Sequence, residues 1–187
     1  MKNKSNLRKE YKILLSEIEL IQFMKNYKKE LKEIHEIRTI TSLYFDSISF
    51  ELYKKSIFQD VDNFKLRVRQ YSNEKSFYKE VKSNLFSGKE KYSKKLEIGS
   101  FNDVEILNYE NKTFYPSAFT NYTRNYYMFH NSRITIDRNI NYETHRFRTL
   151  SSNRVYDSRI VLEIKSLGEN NDVERYPCTG IIQVIVY

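Results

Sequence analysis

Apolar and polar positions alternate along most of this chain, in short runs that are typical of strands. In FKLRVRQY, residues 64–71, apolar side chains take three even positions and long basic side chains take three odd ones. Successive residues of a strand point to opposite faces, so the basic side chains share one face. Comparable runs predict strands at 7–15, 39–46, 63–71, 76–83, 90–98, 118–129, 132–140 and 154–166.

One stretch has helical periodicity instead. Ser16 and Glu19 have the spacing of a capping box at the start of SEIELIQFMKNYKKEL, residues 16–31. The region 99–117 is ambiguous and allows a short helix, and 141–153 is polar enough for a loop. Many strands joined by short connections predict an α+β protein, an antiparallel barrel or sandwich with a few helices packed outside.

Charged side chains recur at strand spacing in RKEYK, FKLRVRQY, EVK, RITID and LEIK. For any single strand, a solvated outer face explains such a row most simply. The recurrence of long basic side chains beside single carboxylates favours a different arrangement for the set. In it, the charges line the interior of a closed antiparallel β-barrel of about eight strands, and the apolar side chains turn outward beneath the helices.

A basic interior needs an anion, because like charges in a poorly solvated space repel one another. A chain of phosphates would relieve that repulsion, since an arginine fork can bind two phosphate oxygens at once. The carboxylates would then hold a hard divalent cation, Mg²⁺ or Mn²⁺, together with the phosphates. We therefore expect Arg67 and Arg69 to point inward and the apolar side of 64–71 to pack outward.

Composition limits the function classes further. The length of 187 residues suits a single domain, 1–187, and the net charge of +8 favours anionic partners. A single cysteine excludes an internal disulfide, and three scattered histidines lack the spacing of zinc ligands. Four isolated glycines form no phosphate-binding loop. No apolar run approaches the roughly 20 residues of a membrane span, so we expect a soluble, cytoplasmic protein.

Six segments carry a family resemblance, in the family's order: RKEYKILLS, SLYFDS, NFKLRVRQY, FYKEVK, NYTRNYY followed by RITIDRNI, and VLEIKS. From about Arg8 to Gly180, the chain resembles the VTC domain, the polyphosphate polymerase domain of the vacuolar transporter chaperone group. The resemblance implies a triphosphate tunnel of the CYTH-like superfamily. It also implies an ATP-polyphosphate phosphotransferase of the polyphosphate kinase type, which transfers the γ-phosphate of ATP to a growing polyphosphate chain with Mn²⁺ or Mg²⁺.

The resemblance also implies site residues, each with a role. The catalytic set, which would orient and neutralise the triphosphate, is Arg67, Arg69, Arg124 and Arg133. The substrate-binding set contains Lys12, Lys82 and Lys94 from the resemblance, and Arg8 and Lys165 from the charged rows. Glu163 would hold the metal. For Glu10 and Glu80 two roles stay open: a structural ion pair, or support of the site by orienting basic side chains or metal-bound water. Strand parity within KYSKK is not fixed, so Lys91 and Lys95 compete with Lys94.

Two departures from the related proteins bear on activity. Related triphosphatases carry Glu-x-Glu-x-Lys on the first strand, where this chain has Arg8, Glu10 and Lys12. The loss of one carboxylate favours a polymerase over a hydrolase. Near the C-terminus, Tyr176 stands where family members commonly have a phosphate-binding lysine.

Two alternatives stay open at this point. One is a metal-dependent triphosphatase or cyclase of the CYTH type, and the other is a non-catalytic domain that binds polyphosphate or nucleotides. The expected partners are ATP and inorganic polyphosphate, without specific nucleic-acid binding. The pattern leaves open both a membrane-protein partner and the oligomeric state.

Overall fold

The computed structural model describes residues 10–58, 60, 63–85, 88–145 and 153–166. Within these ranges the α-helices are α1 (Glu17–Tyr27) and α2 (Glu51–Ile57), and a single 3-10 turn spans Phe101–Asp103. The strands are β1 (Glu10–Leu15), β2 (Lys32–Asp46), β3 (Asn63–Tyr71), β4 (Phe77–Leu85), β5 (Gly88–Leu96), β6 (Leu107–Tyr109), β7 (Lys112–Phe129), β8 (Ser132–Thr144), β9 (Arg154–Asp157) and β10 (Ile160–Ser166).

The strands form one sheet with the hydrogen-bonded order β1-β10-β8-β7-β2-β3-β4-β5. Strand β6 pairs with β7, and β9 pairs with β8. The pairings β1–β10, β10–β8, β2–β3, β3–β4 and β4–β5 are antiparallel. The main path has eight strands, so the predicted α+β fold with about eight antiparallel strands and helices packed on them is confirmed. In the part of the chain described, this path begins at β1 and ends at β5, and these two strands do not pair, so the expected closure into a barrel is not observed.

The predicted strand 63–71 coincides with β3 at both ends. The predicted helix is shorter than expected. It keeps the capping box, in which the Ser16 hydroxyl accepts from the Glu19 amide and the Glu19 carboxylate accepts from the Ser16 amide. It ends at Tyr27, whose carbonyl accepts from the amides of Glu30 and Leu31 in a turn that leads into β2. The predicted loop at 141–153 is wrong for 141–144, which continue β8.

Helix α2 was not predicted, because its capping groups lie at unusual spacing. The Asp46 carboxylate accepts from the amides of Leu52 and Tyr53, both at 2.9 Å, and the Ser47 hydroxyl accepts from the Glu51 amide at 3.0 Å. An ordinary N-cap acts two or three residues ahead. Asp46 instead reaches six and seven residues ahead from the end of β2, so no short motif marks this helix.

The chain divides into two compact units. Unit 1 comprises the described parts of Met1–Arg38, Tyr122–Ile140 and Asp157–Tyr187. Unit 2 comprises the described parts of Thr39–Asn121 and Asn141–Tyr156. Within the described ranges, no helix is long and apolar enough to cross a bilayer.

In each unit, a helix covers the apolar side of the strands. In unit 1, Leu20 and Phe23 of α1 join a cluster whose other buried members are Ile13, Leu15, Phe129, Ile134, Ile136, Ile160, Leu162 and Ile164. In unit 2, Leu52 of α2 joins Leu43, Phe45, Leu66, Val68, Phe77, Val81, Val104, Leu107 and Phe114. Burial of such side chains supplies the main stabilising free energy, roughly 25 cal/mol per Å² of apolar surface. The charged rows therefore lie on the opposite side of the same strands.

Candidate functional site

The polar side of β2, β3, β4 and β5 in unit 2 is strongly basic. Directly paired residues of antiparallel strands share a face, so the register defines its members. This basic face consists of Ser42, Tyr44, Lys65, Arg67, Arg69, Tyr78, Glu80, Lys82, Lys91, Ser93 and Lys95. Among these eleven residues, six are cations and one is a carboxylate. The face therefore carries a large positive charge that favours a polyanion.

Glu80 is the counter-ion at the centre of this face. It is 3% exposed and accepts from Arg67 Nε at 2.9 Å and from Arg67 Nη2 at 2.7 Å. Arg69 Nη1 lies 3.6 Å from the same carboxylate, and Lys91 Nζ lies 2.9 Å from it. One carboxylate thus holds cations from two neighbouring strands in place.

Hydroxyl groups on β2 hold the same two arginines from the other side. Arg67 Nη1 donates to the Tyr44 hydroxyl at 2.9 Å, and Arg69 Nε donates to the Ser42 hydroxyl at 3.0 Å. Neither hydroxyl was predicted from the sequence. Their alternation in TSLYFD was the signal, because strand parity places them beside the arginines.

These contacts keep the face ionised. Burial raises the pKa of Glu80, but the charges of Arg67 and Arg69 outweigh burial, so the net shift is downward. Burial likewise raises the pKa of the Tyr44 phenol, and the same two arginines bring it below its ordinary value. Burial lowers the pKa of Arg67, which Tyr44 and Glu80 together raise above its ordinary value.

The register shows which lysines of β5 belong to this face. Lys91 pairs with Lys82 and contacts Glu80, and Lys95 pairs with Tyr78, whereas Lys94 pairs with Lys79 on the opposite side of the strand. The choice of Lys94 from sequence therefore needs correction: Lys91 and Lys95 lie on the basic face, and Lys91 contacts Glu80. Parity could not be fixed from sequence, because lysines occupy both sides of KYSKK.

A second polar face lies on β1, β10 and β8 of unit 1, with one arginine from β7. This mixed face consists of Glu10, Lys12, Arg124, Arg133, Thr135, Asp137, Glu163 and Lys165. It carries three carboxylates among its charged groups, so its charges are nearly balanced. The two faces differ in kind, since one is basic and the other is mixed.

Two carboxylates and two lysines form a ring of alternating charge on the mixed face. Lys165 Nζ lies 2.5 Å from Glu163 and 3.5 Å from Glu10. Lys12 Nζ lies 3.8 Å from Glu163 and 3.9 Å from Glu10. Each ammonium therefore contacts both carboxylates, and Glu10 and Glu163 act as one acidic pair.

Arg124 is held by Asp137 in a bidentate pair. Arg124 Nε and Nη2 donate to the two carboxylate oxygens at 2.5 and 2.7 Å. Burial lowers the pKa of Arg124, but Asp137 and the Tyr122 phenol raise it well above its ordinary value. Arg124 Cζ also lies over the Tyr122 ring, 5.2 Å from the ring centroid. Arg124 is therefore a permanently charged, oriented group.

The donors around Glu163 suit a hard divalent cation. Glu10 and Glu163 offer carboxylate oxygens, which Mg²⁺ and Mn²⁺ prefer. Across the strand pairing from Glu163, the Thr135 hydroxyl is 2% exposed and its oxygen has no hydrogen-bond partner. An orphaned buried hydroxyl indicates an absent polar partner, such as a water or an ion. Within the described residues, no group of three or more acidic, histidine or cysteine ligands is placed to hold a metal ion.

The remaining sequence-derived residues have different outcomes. Lys82 lies on the basic face, half-buried. Arg133 lies on the mixed face but is exposed, next to Lys165 in the register. Arg8 and Tyr176, including the C-terminal departure, fall outside the described residues.

Comparison with known proteins gives the family. The VTC domain matches residues 2–100 and 100–176, which is nearly the whole chain. The search of curated proteins found no match to this chain.

Similar solved structures include a proposed adenylate cyclase from Bacillus halodurans, with 14% identity over 88% of this chain and 82% of that chain and a TM-score of 0.53. Another proposed adenylate cyclase, from Vibrio parahaemolyticus, shares 13% identity over 92% of this chain and 83% of that chain, with a TM-score of 0.52. At 13–14% sequence identity, this structural similarity is evidence of a shared fold only. The two solved structures share the fold of this chain, and the chain belongs to the VTC domain family.

Proposed function

We propose that this protein is a polyphosphate polymerase that transfers the γ-phosphate of ATP to a growing polyphosphate chain. The observation that carries the proposal is the pair of a half-buried Arg67 and a buried Arg69, fixed by Glu80 and by two hydroxyls on the basic face. Charges fixed before the ligand arrives stabilise a transferring phosphoryl group without reorganisation. Membership of the VTC domain family supports the same assignment.

The basic face would bind the phosphate chain. Arg67 and Arg69 would neutralise the nonbridging oxygens of the triphosphate, and the lysines of the face would act as movable point charges along it. On the mixed face, Arg124 and Arg133 would take the same catalytic role, with Arg133 reaching from an exposed position. Lys12 and Lys165 would bind phosphate, as would Arg8.

Glu163, with Glu10 beside it, would hold the Mn²⁺ or Mg²⁺ ion. Bound there, the ion would neutralise charge on the phosphate oxygens. Glu80, buried among the arginines, is assigned to orienting basic side chains. No general base is needed, because the attacking group is a terminal phosphate oxygen that is already ionised.

Product analysis tests this proposal. Purified protein is incubated with ATP and Mn²⁺, with and without a tripolyphosphate primer, and the products are separated on a gel that resolves phosphate chains. We expect long chains together with ADP. Orthophosphate alone, or a cyclic nucleotide, would indicate a triphosphatase or cyclase, and unchanged ATP would indicate a binding domain. Any of these three results would overturn the polymerase assignment.

A further inference from the structure

The acidic pair Glu10–Glu163 is already bound to a cation that belongs to the protein. Lys165 Nζ lies 2.5 Å from one oxygen of Glu163 and 3.5 Å from Glu10. Glu163 is 7% exposed, so these contacts are poorly screened by water. The ammonium group therefore lies against the oxygens that a divalent cation would bind.

The surroundings of Glu163 offer further donors to a metal once the lysine leaves. Glu10 lies close by, since Lys165 and Lys12 each contact both carboxylates. The Thr135 hydroxyl across from Glu163 is buried without a partner and can bind a further polar group. Removing the ammonium would leave these oxygens short of positive charge.

We propose that Lys165 is an internal competitor of the divalent cation, so that the metal binds tightly only when phosphate draws Lys165 away from Glu163. An ammonium group can bind phosphate as readily as carboxylate. Phosphate on Lys165 would therefore free the acidic pair, and metal and triphosphate would bind with positive coupling. Lys12 acts in the same way but more weakly, because its contacts are 3.8 and 3.9 Å. The inference rests on the proposed binding of metal and triphosphate at this site.

The test uses Mn²⁺ alone, without ATP or phosphate. Electron paramagnetic resonance of free Mn²⁺ gives the affinity of the wild-type protein and of the K165Q, K12Q and K165Q/E163Q variants. We expect weak binding to the wild-type protein and binding tighter by about tenfold or more for K165Q, because a positive charge beside the ion is gone. K12Q should show a smaller gain, and E163Q in the K165Q background should remove the gain. If K165Q does not fold, K12Q carries the same test.

K112Q is the matched control, since Lys112 is an exposed lysine 3.5 Å from Glu51 in unit 2. It changes the net charge equally and should leave Mn²⁺ affinity at the wild-type value. The proposal is overturned if K165Q binds Mn²⁺ no more tightly than the wild-type protein, or if its gain survives E163Q. Because no phosphate transfer is measured, failure here leaves the polymerase proposal standing. Failure of the product analysis leaves this result unaffected.

Discussion

Replacing Arg67 by methionine is expected to weaken tripolyphosphate binding by about 100-fold and to abolish chain synthesis. Each charge-assisted hydrogen bond contributes roughly 1.5–3 kcal/mol, so loss of a bidentate group costs two or more factors of ten. Methionine keeps much of the side-chain volume, so the change removes charge and donors rather than packing. Isothermal titration with tripolyphosphate measures the affinity.

The same substitution should also lower stability. Neighbouring cations repel Arg67, but its guanidinium is also paired with the buried Glu80. Removing one partner of a buried ion pair is destabilising. Because Arg69 and Lys91 remain beside Glu80, we expect a loss of about 2 kcal/mol, or roughly 4–8 °C in Tm for a chain of this size.

R154M is the matched control for Arg67→Met. Arg154 donates to Glu143 at 2.7 Å in an exposed pair of unit 2, outside the basic face. Its replacement should leave tripolyphosphate affinity within about twofold of the wild-type value, because exposed pairs contribute little. Loss of stability in R67M without loss of affinity would show that Arg67 has a purely structural role.

Replacing Glu80 by glutamine is expected to have the opposite effect on affinity, with tripolyphosphate binding about tenfold tighter at low salt. A carboxylate about 5 Å from a phosphate charge repels it by roughly 3 kcal/mol at an effective dielectric constant of 20. Glutamine keeps an oxygen that can accept the two hydrogen bonds from Arg67, so each bond is weakened by roughly 1 kcal/mol rather than lost. The repulsion of roughly 3 kcal/mol therefore exceeds the roughly 2 kcal/mol lost in positioning. Weaker binding by E80Q would instead show that orienting the arginines is the main contribution of Glu80.

Stability of E80Q should depend less on pH than that of the wild-type protein. The pKa of Glu80 is lower in the folded chain than its ordinary value of 4.5, so the unfolded chain takes up the proton first as pH falls. The stabilisation by Glu80 is therefore complete above pH 4.5 and is lost as the pH falls through the folded pKa. Chemical denaturation between pH 6 and 3 should show a smaller loss for E80Q, from a lower starting stability.

Local pattern was sufficient for most strands and for the two faces of β3. Leu66 and Val68 are fully buried against the cluster that includes Leu52 of α2, and Arg69 is buried on the other side. The alternation of apolar and basic residues in β3 did not show which of its two sides faces solvent. The recurrence of charged rows predicted that both sides would be buried.

Other features depend on pairing, which no single segment encodes. The contact of Lys91 with Glu80 follows from the β4–β5 register, and KYSKK carries lysines of both parities. The hydroxyl contacts of Tyr44 and Ser42 depend likewise on the β2–β3 register. Helix α2 begins under a carboxylate supplied from the end of β2. These contacts and the start of α2 therefore depend on long-range strand pairing, which the local sequence pattern does not show.

The central claim is that the face containing Glu80 binds the phosphate chain. Lys91 and Lys94 lie on opposite sides of the same strand, so K91Q and K94Q make the same chemical change on the two faces. Titration of tripolyphosphate into both variants at low salt is the most direct test. K91Q should bind about fivefold more weakly than the wild-type protein, as expected for one lost charge contact of roughly 1 kcal/mol, and K94Q should bind equally well. Equal losses in both variants, or a larger loss in K94Q, would contradict the account.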